Sequence, residues 1–105
     1  MSVGVKEVID TYVSIIASIS GVLQIYLFGS HANGIPHEKS DIDLLVVIED
    51  GLIVDKMALR INSALIGRRK IPLDIVVNTL SAFNTAANEP TMQNRIKHEG
   101  VLLYA

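Results

Sequence analysis

The stretch Leu27–Glu49, LFGSHANGIPHEKSDIDLLVVIE, decides the fold because it joins two apolar segments through a polar loop. Gly29 and Ser30 follow the first apolar segment, and after ten further residues Asp41 and Asp43 stand at the head of the second. Residues i and i+2 of a strand point to the same face, so these two carboxylates are expected roughly 6.5–7 Å apart along it. The uninterrupted apolar run behind them predicts a strand that is covered on both faces.

The two aspartates predict a metal site. Two carboxylates at a strand end repel each other and lose part of their hydration, and a bound divalent cation removes that destabilisation. Carboxylate oxygens with room for water and phosphate ligands suit Mg²⁺, or the similar Mn²⁺. The alternative interpretation is a solvated strand entry, with Ser40 and Asp41 serving as turn-forming residues.

Gly29 and Ser30 predict a phosphate site next to that metal. A glycine lets the backbone approach a phosphate closely, and a following serine can cap a helix whose free N–H groups face the same anion. His31 is a candidate donor to a phosphate oxygen, and a surface histidine is the alternative. A Gly-Ser pair alone is commonly a plain turn, so the hypothesis depends on its combination with Asp41 and Asp43, each pair attached to its own strand.

The pattern Gly29-Ser30, ten residues, Asp41-x-Asp43 resembles the signature of the DNA polymerase beta nucleotidyltransferase superfamily. The short length and the segment KHEGVLLY, residues 97–104, resemble the minimal nucleotidyltransferases of prokaryotes within it. The resemblance covers nearly the whole chain. It implies a palm-like fold and the transfer of a nucleoside monophosphate from a nucleoside triphosphate.

The same resemblance implies a third carboxylate on a later strand, and Asp74 in the segment IPLDIVV, residues 71–77, is the natural match. In that role Asp74 joins the metal site and accepts the proton of an attacking hydroxyl. An ion pair between Asp74 and the basic run 68–70 is the alternative. The predicted site therefore has two groups of residues: the catalytic and metal-binding carboxylates Asp41, Asp43 and Asp74, and the nucleotide-binding Gly29, Ser30 and His31.

The phosphate loop departs from the family pattern in one respect. Relatives often carry a basic residue there, in patterns such as Gly-Ser-x-Ala-Arg-Gly, whereas this chain has His31 and Asn33. A neutral histidine and an asparagine neutralise less phosphate charge than an arginine does.

Composition narrows the class of protein. With 105 residues, half of them hydrophobic and few aromatic, the chain is expected to form one nucleotidyltransferase domain with an aliphatic core. A formal charge of −2 argues against a general nucleic-acid binder, and the absence of cysteine excludes disulfides and thiolate metal sites. No apolar run approaches the ~20 residues of a membrane span, so the expected location is the cytoplasm.

Apolar periodicity, β-branched content and the positions of Gly and Pro give the expected elements. They are helices over residues 3–20 and 52–69, strands over 22–28, 41–48 and 73–77, and a loop with one helical turn over 29–40. Ser81 is expected to cap a short helix over 82–88, and a second short helix is expected to open at 88–90 and end at Gly100. Residues 101–104 form either an edge strand or a packed tail. This order predicts an α/β (α+β) fold, a small mixed sheet with helices packed mainly on one face.

The chain is too short for the extra domains with which larger relatives bind nucleic acid or antibiotic. The resemblance to minimal nucleotidyltransferases therefore implies a HEPN-family toxin as partner, to which the chain, as antitoxin, adds AMP from ATP. A binding module that neutralises its partner by contact, without catalysis, is the main alternative. Transfer to a small-molecule hydroxyl is another, and it requires a second domain or a homodimer to complete the acceptor pocket.

Overall fold

The computed structural model describes residues 3–33 and 40–105. Within them the chain forms four helices and four strands. In chain order these are α1 Val3–Ala17, β1 Val22–Phe28, β2 Ile42–Ile48, α2 Val54–Ala64, β3 Leu73–Thr79, α3 Leu80–Ala87, α4 Met92–Glu99 and β4 Val101–Tyr104. None of the helices in these residues is long and apolar enough to cross a membrane.

The strands form one mixed sheet in the order β3-β2-β1-β4, which confirms the predicted fold class. β1 runs antiparallel to both β2 and β4, whereas β2 and β3 are parallel. The parallel pair requires a crossover connection, and α2 provides it. β4 is an edge strand on β1 rather than a packed tail.

β2 is covered on both faces, as its continuous apolar run predicts. Leu44 and Val46 are fully buried in the core that α1 and α2 share with one face of the sheet. Leu45 and Val47 are fully buried in a second core on the other face, together with Phe83 of α3. The two long helices share one face as expected, but α3 and α4 cover part of the opposite face because they too carry apolar side chains that require burial.

Gly67 ends the second long helix earlier than the apolar spacing predicted. α2 stops at Ala64, and Gly67 has a φ of +75°, a left-handed conformation that glycine adopts without strain. The basic run 68–70 therefore lies beyond the helix rather than in its last turn. Arg69 donates from Nη1 to the Leu73 carbonyl at 3.3 Å, which ties this run to the start of β3.

Threonine side chains cap both short helices. Thr79 and Thr91 each accept a hydrogen bond from the backbone N–H three residues later, at 3.3 and 3.2 Å. The prediction that Ser81 is a cap is wrong, because Ser81 lies inside α3 and its N–H donates to the Asp50 carboxylate at 2.8 Å. The hydrogen bonds from the Ser81 hydroxyl and N–H lower the pKa of Asp50.

The fully buried Tyr12 fixes the chain just before β3. Its hydroxyl donates to the Ile71 carbonyl at 2.6 Å and accepts from the Ile71 N–H at 3.1 Å.

We expect Tyr12→Phe to lower the free energy of unfolding by about 1–3 kcal/mol, because both backbone groups of Ile71 then lack a partner. Urea unfolding followed by circular dichroism measures this loss. The control is Tyr26→Phe, and an equal midpoint for the two variants would contradict the role given to the Tyr12 hydroxyl.

Candidate active site

The strand register brings two of the predicted carboxylates together. Asp43 of β2 lies directly opposite Asp74 of β3 in the parallel pair. Adjacent strands are about 4.8 Å apart and register partners point to the same face, so these side chains are neighbours. On the other side of β2, Asp43 faces Phe28, the last residue of β1. Leu45, two residues on, is buried under α3, and Asp43 therefore lies at the end of that face, where the helices no longer cover it.

The charges of Asp74 and Asp41 act on Asp43. Partial burial raises the pKa of Asp43 above its usual range, and the carboxylates of Asp74 and Asp41 raise it further. Asp41 and Asp74 are exposed, whereas Asp43 is half-buried. The three residues that the sequence selected thus share one electrostatic environment.

Asp74 is not paired with the basic run that precedes it. The ion pairs within residues 3–33 and 40–105 are Lys6–Asp10 at 3.0 Å and Arg95–Glu99 at 3.5 Å. The side chain of Asp74 is exposed, so its carboxylate keeps much of its hydration. The alternative of a structural ion pair at Asp74 is therefore not observed.

Gly29 is packed against the Asp43 carboxylate. A Cβ added at Gly29 would lie 2.2 Å from Asp43 Oδ2, far inside van der Waals contact, and the residue has a φ of +75°. Its carbonyl accepts from the N–H groups of Ala32 and Asn33, both at 3.1 Å, so residues 29–33 form a single turn. The predicted turn at 30–33 is present, but Ser30 caps no helix within the described part of the chain. Residues 34–39 of the predicted loop lie outside it.

His31 connects the two ends of the loop. It is 5% exposed, and its Nε2 lies 3.0 Å from the Ser40 carbonyl. A carbonyl only accepts, so Nε2 carries the proton in this contact. Nδ1 is buried and has no hydrogen-bond partner within the described residues. The histidine predicted to donate to phosphate therefore makes a structural hydrogen bond, which holds Ser40 and the adjacent Asp41 near the Gly29 turn. No signal in the sequence indicated this hydrogen bond.

The carboxylates of the site are the candidate ligands of the predicted metal ion. Within residues 3–33 and 40–105 no group of three or more His, Asp or Glu side chains is arranged to hold a metal ion. Mg²⁺ in nucleotide sites is usually held by one or two carboxylates, with waters and substrate phosphates completing the shell. The Asp43–Asp74 pair, whose mutual repulsion a cation would relieve, fits that kind of shared site.

A cavity of about 590 Å³ lies between the Gly29 turn and α4. The turn contributes Gly29, Ala32 and Asn33, and α4 contributes Arg95 and Glu99 among others. None of the predicted site residues lies on α4, although its last residues belong to the family-like segment 97–104. A further signal was the spacing of Arg95 and Glu99, which places them on one helix face.

Residues 10–105 match the family model of Polymerase beta, Nucleotidyltransferase. No curated protein matches the sequence.

Several solved structures share the architecture. A protein assigned as a minimal nucleotidyltransferase is 24% identical, with a TM-score of 0.58 over 93% of this chain and 91% of that chain. A toxin–antitoxin structure with AMP-PNP is 24% identical, with a TM-score of 0.55 over 95% of this chain and 73% of that chain. The toxin–antitoxin MntA–HepT is 20% identical, with a TM-score of 0.52 over 95% and 72%. At these identities the structural similarities establish a shared fold.

Proposed function

Since the chain belongs to the polymerase beta nucleotidyltransferase family, we propose that its 105 residues form one domain that transfers AMP from ATP to a hydroxyl group. The observation that carries the proposal is the register of Asp43 and Asp74 beside the Gly29 turn. The carboxylate pair is suited to binding a cation and to accepting a proton. The turn beside it has no side chain at Gly29, where the backbone comes closest to the Asp43 carboxylate.

In the proposed reaction the acceptor hydroxyl oxygen attacks the α-phosphorus of ATP, the bond to the β-phosphate oxygen breaks, and pyrophosphate leaves. Asp74 accepts the proton of the hydroxyl as its bond to phosphorus forms. The Ser30 side chain and the backbone N–H groups beside Gly29 hold the outer phosphates. His31 is proposed to lie beside the phosphates and to hold the turn in place, while its Nε2–H stays bonded to the Ser40 carbonyl.

Asp43 and Asp74 are proposed to hold Mg²⁺ or Mn²⁺ together with the phosphates, and Asp41 is proposed to join them as the third carboxylate when the cation is bound. The bound cation would neutralise charge on the attacking and leaving oxygens. The protein itself positions the reacting groups. Gly29 and the two strands fix the carboxylates relative to the turn, and catalysis of phosphoryl-type transfer depends mainly on such positioning.

For the acceptor we propose a hydroxyl on a HEPN-family toxin, with this chain as the antitoxin. The shared fold with toxin–antitoxin structures supports this role, and one of those structures holds AMP-PNP, an ATP analogue. The competing function is neutralisation by contact alone, which requires no nucleotide chemistry.

Nucleotide binding is expected to depend on metal. Isothermal titration calorimetry with ATP should show binding that is about tenfold or more weaker in EDTA than with Mg²⁺, because the clustered carboxylates repel the triphosphate. AMP, which lacks the outer phosphates, should show a much smaller difference. Equal ATP affinity with and without metal would contradict the shared metal–phosphate site.

The acceptor is tested by intact-mass spectrometry. A HEPN-family protein from the neighbouring reading frame, incubated with this chain, ATP and Mg²⁺, should gain the mass of one or more AMP groups and lose its toxicity. The same incubation without ATP should change neither. Full neutralisation with no change in partner mass would favour the contact mechanism instead.

A further inference from the structure

The cavity beside the Gly29 turn borders the candidate active site. Gly29 borders both, because the Asp43 carboxylate lies against its α-carbon and the residue also lines the cavity. Phe28, the register partner of Asp43, lines the cavity as well. A molecule whose reacting phosphate lies at Asp43 therefore has this cavity as its neighbour across Gly29.

The charges around this space are unevenly distributed. Of the described residues that line the cavity, Arg95 is the cation and Glu99 the anion. Asp41, Asp43 and Asp74 add negative charge next to it, and residues 29–33 carry no lysine or arginine. Among the described residues, a triphosphate entering here meets more negative than positive charge, so the guanidinium of Arg95 has a disproportionate effect on binding.

Arg95 is held only loosely by its partner on the same helix. Its Nε lies 3.5 Å from Glu99 Oε2, and the two side chains are 78% and 66% exposed. An exposed pair at this separation contributes little to stability, so its partner is easily exchanged. Phosphate is a better partner for a guanidinium than a single carboxylate oxygen at this distance, because the planar N–H groups bond two phosphate oxygens at once.

We propose that Arg95 is a nucleotide-binding residue, whose guanidinium leaves Glu99 and pairs with a phosphate of the bound triphosphate. The proposal rests on the proposed nucleotidyltransferase function and assigns to α4 a share of the phosphate site. Glu99 then acts as a resting partner that competes with the ligand for Arg95.

The test compares three positions on the same helix. Calorimetry with ATP and Mg²⁺ should show about tenfold or more weaker binding for Arg95→Ala, with part of the affinity retained by Arg95→Lys. Lys97→Ala removes the same charge from an exposed residue that does not line the cavity, and its affinity should equal that of the wild type. Glu99→Gln should bind ATP more tightly than the wild type, since it removes a competing anion.

Inorganic tripolyphosphate serves as a second probe, because it has no base or sugar. Its binding should weaken in Arg95→Ala by a factor similar to that for ATP. If ATP binding falls but tripolyphosphate binding does not, Arg95 contacts the nucleoside and the proposal is overturned. Equal losses in Arg95→Ala and Lys97→Ala would likewise overturn it, as a general charge effect.

The outcome also separates this proposal from the function on which it rests. A wild-type chain that binds ATP, together with an unaffected Arg95→Ala variant, contradicts the role of Arg95 alone. A wild-type chain that binds neither ATP nor tripolyphosphate contradicts the nucleotide site as a whole. Arg95→Ala should unfold at the wild-type urea concentration, because the exposed pair contributes little to the fold.

Discussion

The Asp43→Asn variant is expected to lose nucleotide transfer by at least about a thousandfold and yet to fold as well as the wild type or better. Asp43 is the central carboxylate, between Asp74 on the neighbouring strand and Asp41 at the strand entry. The asparagine amide is a poor ligand for a hard cation and carries no charge that could neutralise the cation. Transfer is measured by intact-mass spectrometry of the partner, and stability by urea unfolding in EDTA.

The stability part of this expectation follows from the direction of the pKa shift. Burial and the carboxylates of Asp74 and Asp41 raise the pKa of Asp43 above its ordinary value of 3.8, so the folded state holds this proton more tightly than the unfolded state. The folded state is therefore favoured at low pH, and this contribution is lost as the pH rises through the raised pKa. In metal-free buffer, Asp43→Asn should remove that pH-dependent loss and unfold at a higher urea concentration near neutral pH.

Two further variants make the result specific. Asp10→Asn alters an exposed carboxylate on α1 that pairs with Lys6, and its transfer rate should equal that of the wild type. Asp74→Asn should lose transfer to the partner but still bind it, because one exposed change within the site leaves an outer docking surface intact. Full neutralisation by Asp74→Asn without a mass change would favour contact inhibition. Unfolding of Asp43→Asn in metal-free buffer would mean that its side chain is structural.

The second large effect is expected from Gly29→Ala. The new methyl group would lie 2.2 Å from Asp43 Oδ2, and the backbone has a φ of +75° that alanine adopts only with strain. We expect a loss of about 2–4 kcal/mol in the free energy of unfolding, from the backbone strain and the steric clash together. Displacement of the carboxylate should also lower the transfer rate by about a hundredfold, the usual result of misplacing a reacting group by about 1 Å.

Gly67→Ala is the matched control for this change. Gly67 has the same φ of +75° but no heavy atom within 4 Å of an added Cβ, so only the backbone strain applies. Its loss of stability should be about 1–2 kcal/mol, with transfer unaffected. In an Asp43→Ala background the carboxylate is absent, and Gly29→Ala should then destabilise by no more than Gly67→Ala does. If Gly29→Ala destabilises equally in both backgrounds, the contact with the carboxylate is not the cause.

The strands and the two long helices were predictable because their signals are local. The β-branched and aromatic content of 22–28 placed β1 at its observed bounds, and the continuous apolar run after Asp43 correctly predicted a strand covered on both faces. The helix ends were less well predicted. Apolar spacing continued beyond Ala64, whereas the positive φ of Gly67 and the hydroxyls of Thr79 and Thr91 set the observed boundaries.

The sequence by itself selected the glycine turn and the first two candidate carboxylates, because Gly29-Ser30 and Asp41-x-Asp43 occur at a specific spacing on neighbouring segments. Only the tertiary structure decided how they meet. The pairing of Asp43 with Asp74 depends on a parallel register across the α2 crossover. A shift of that register by one residue would turn Asp74 to the other face, and local periodicity does not determine it.

The remaining contacts of the site depend on distances between segments rather than on any pattern within one. The approach of Gly29 to Asp43 follows from β1–β2 pairing, and the hydrogen bond from His31 to the Ser40 carbonyl joins the two ends of the loop. Arg95 lines the same cavity as the Gly29 turn because α4 packs on β1 through the buried Ile96. Local sequence fixes backbone conformation and the apolar face of each element, but the packing of the elements against one another decides which polar groups become neighbours.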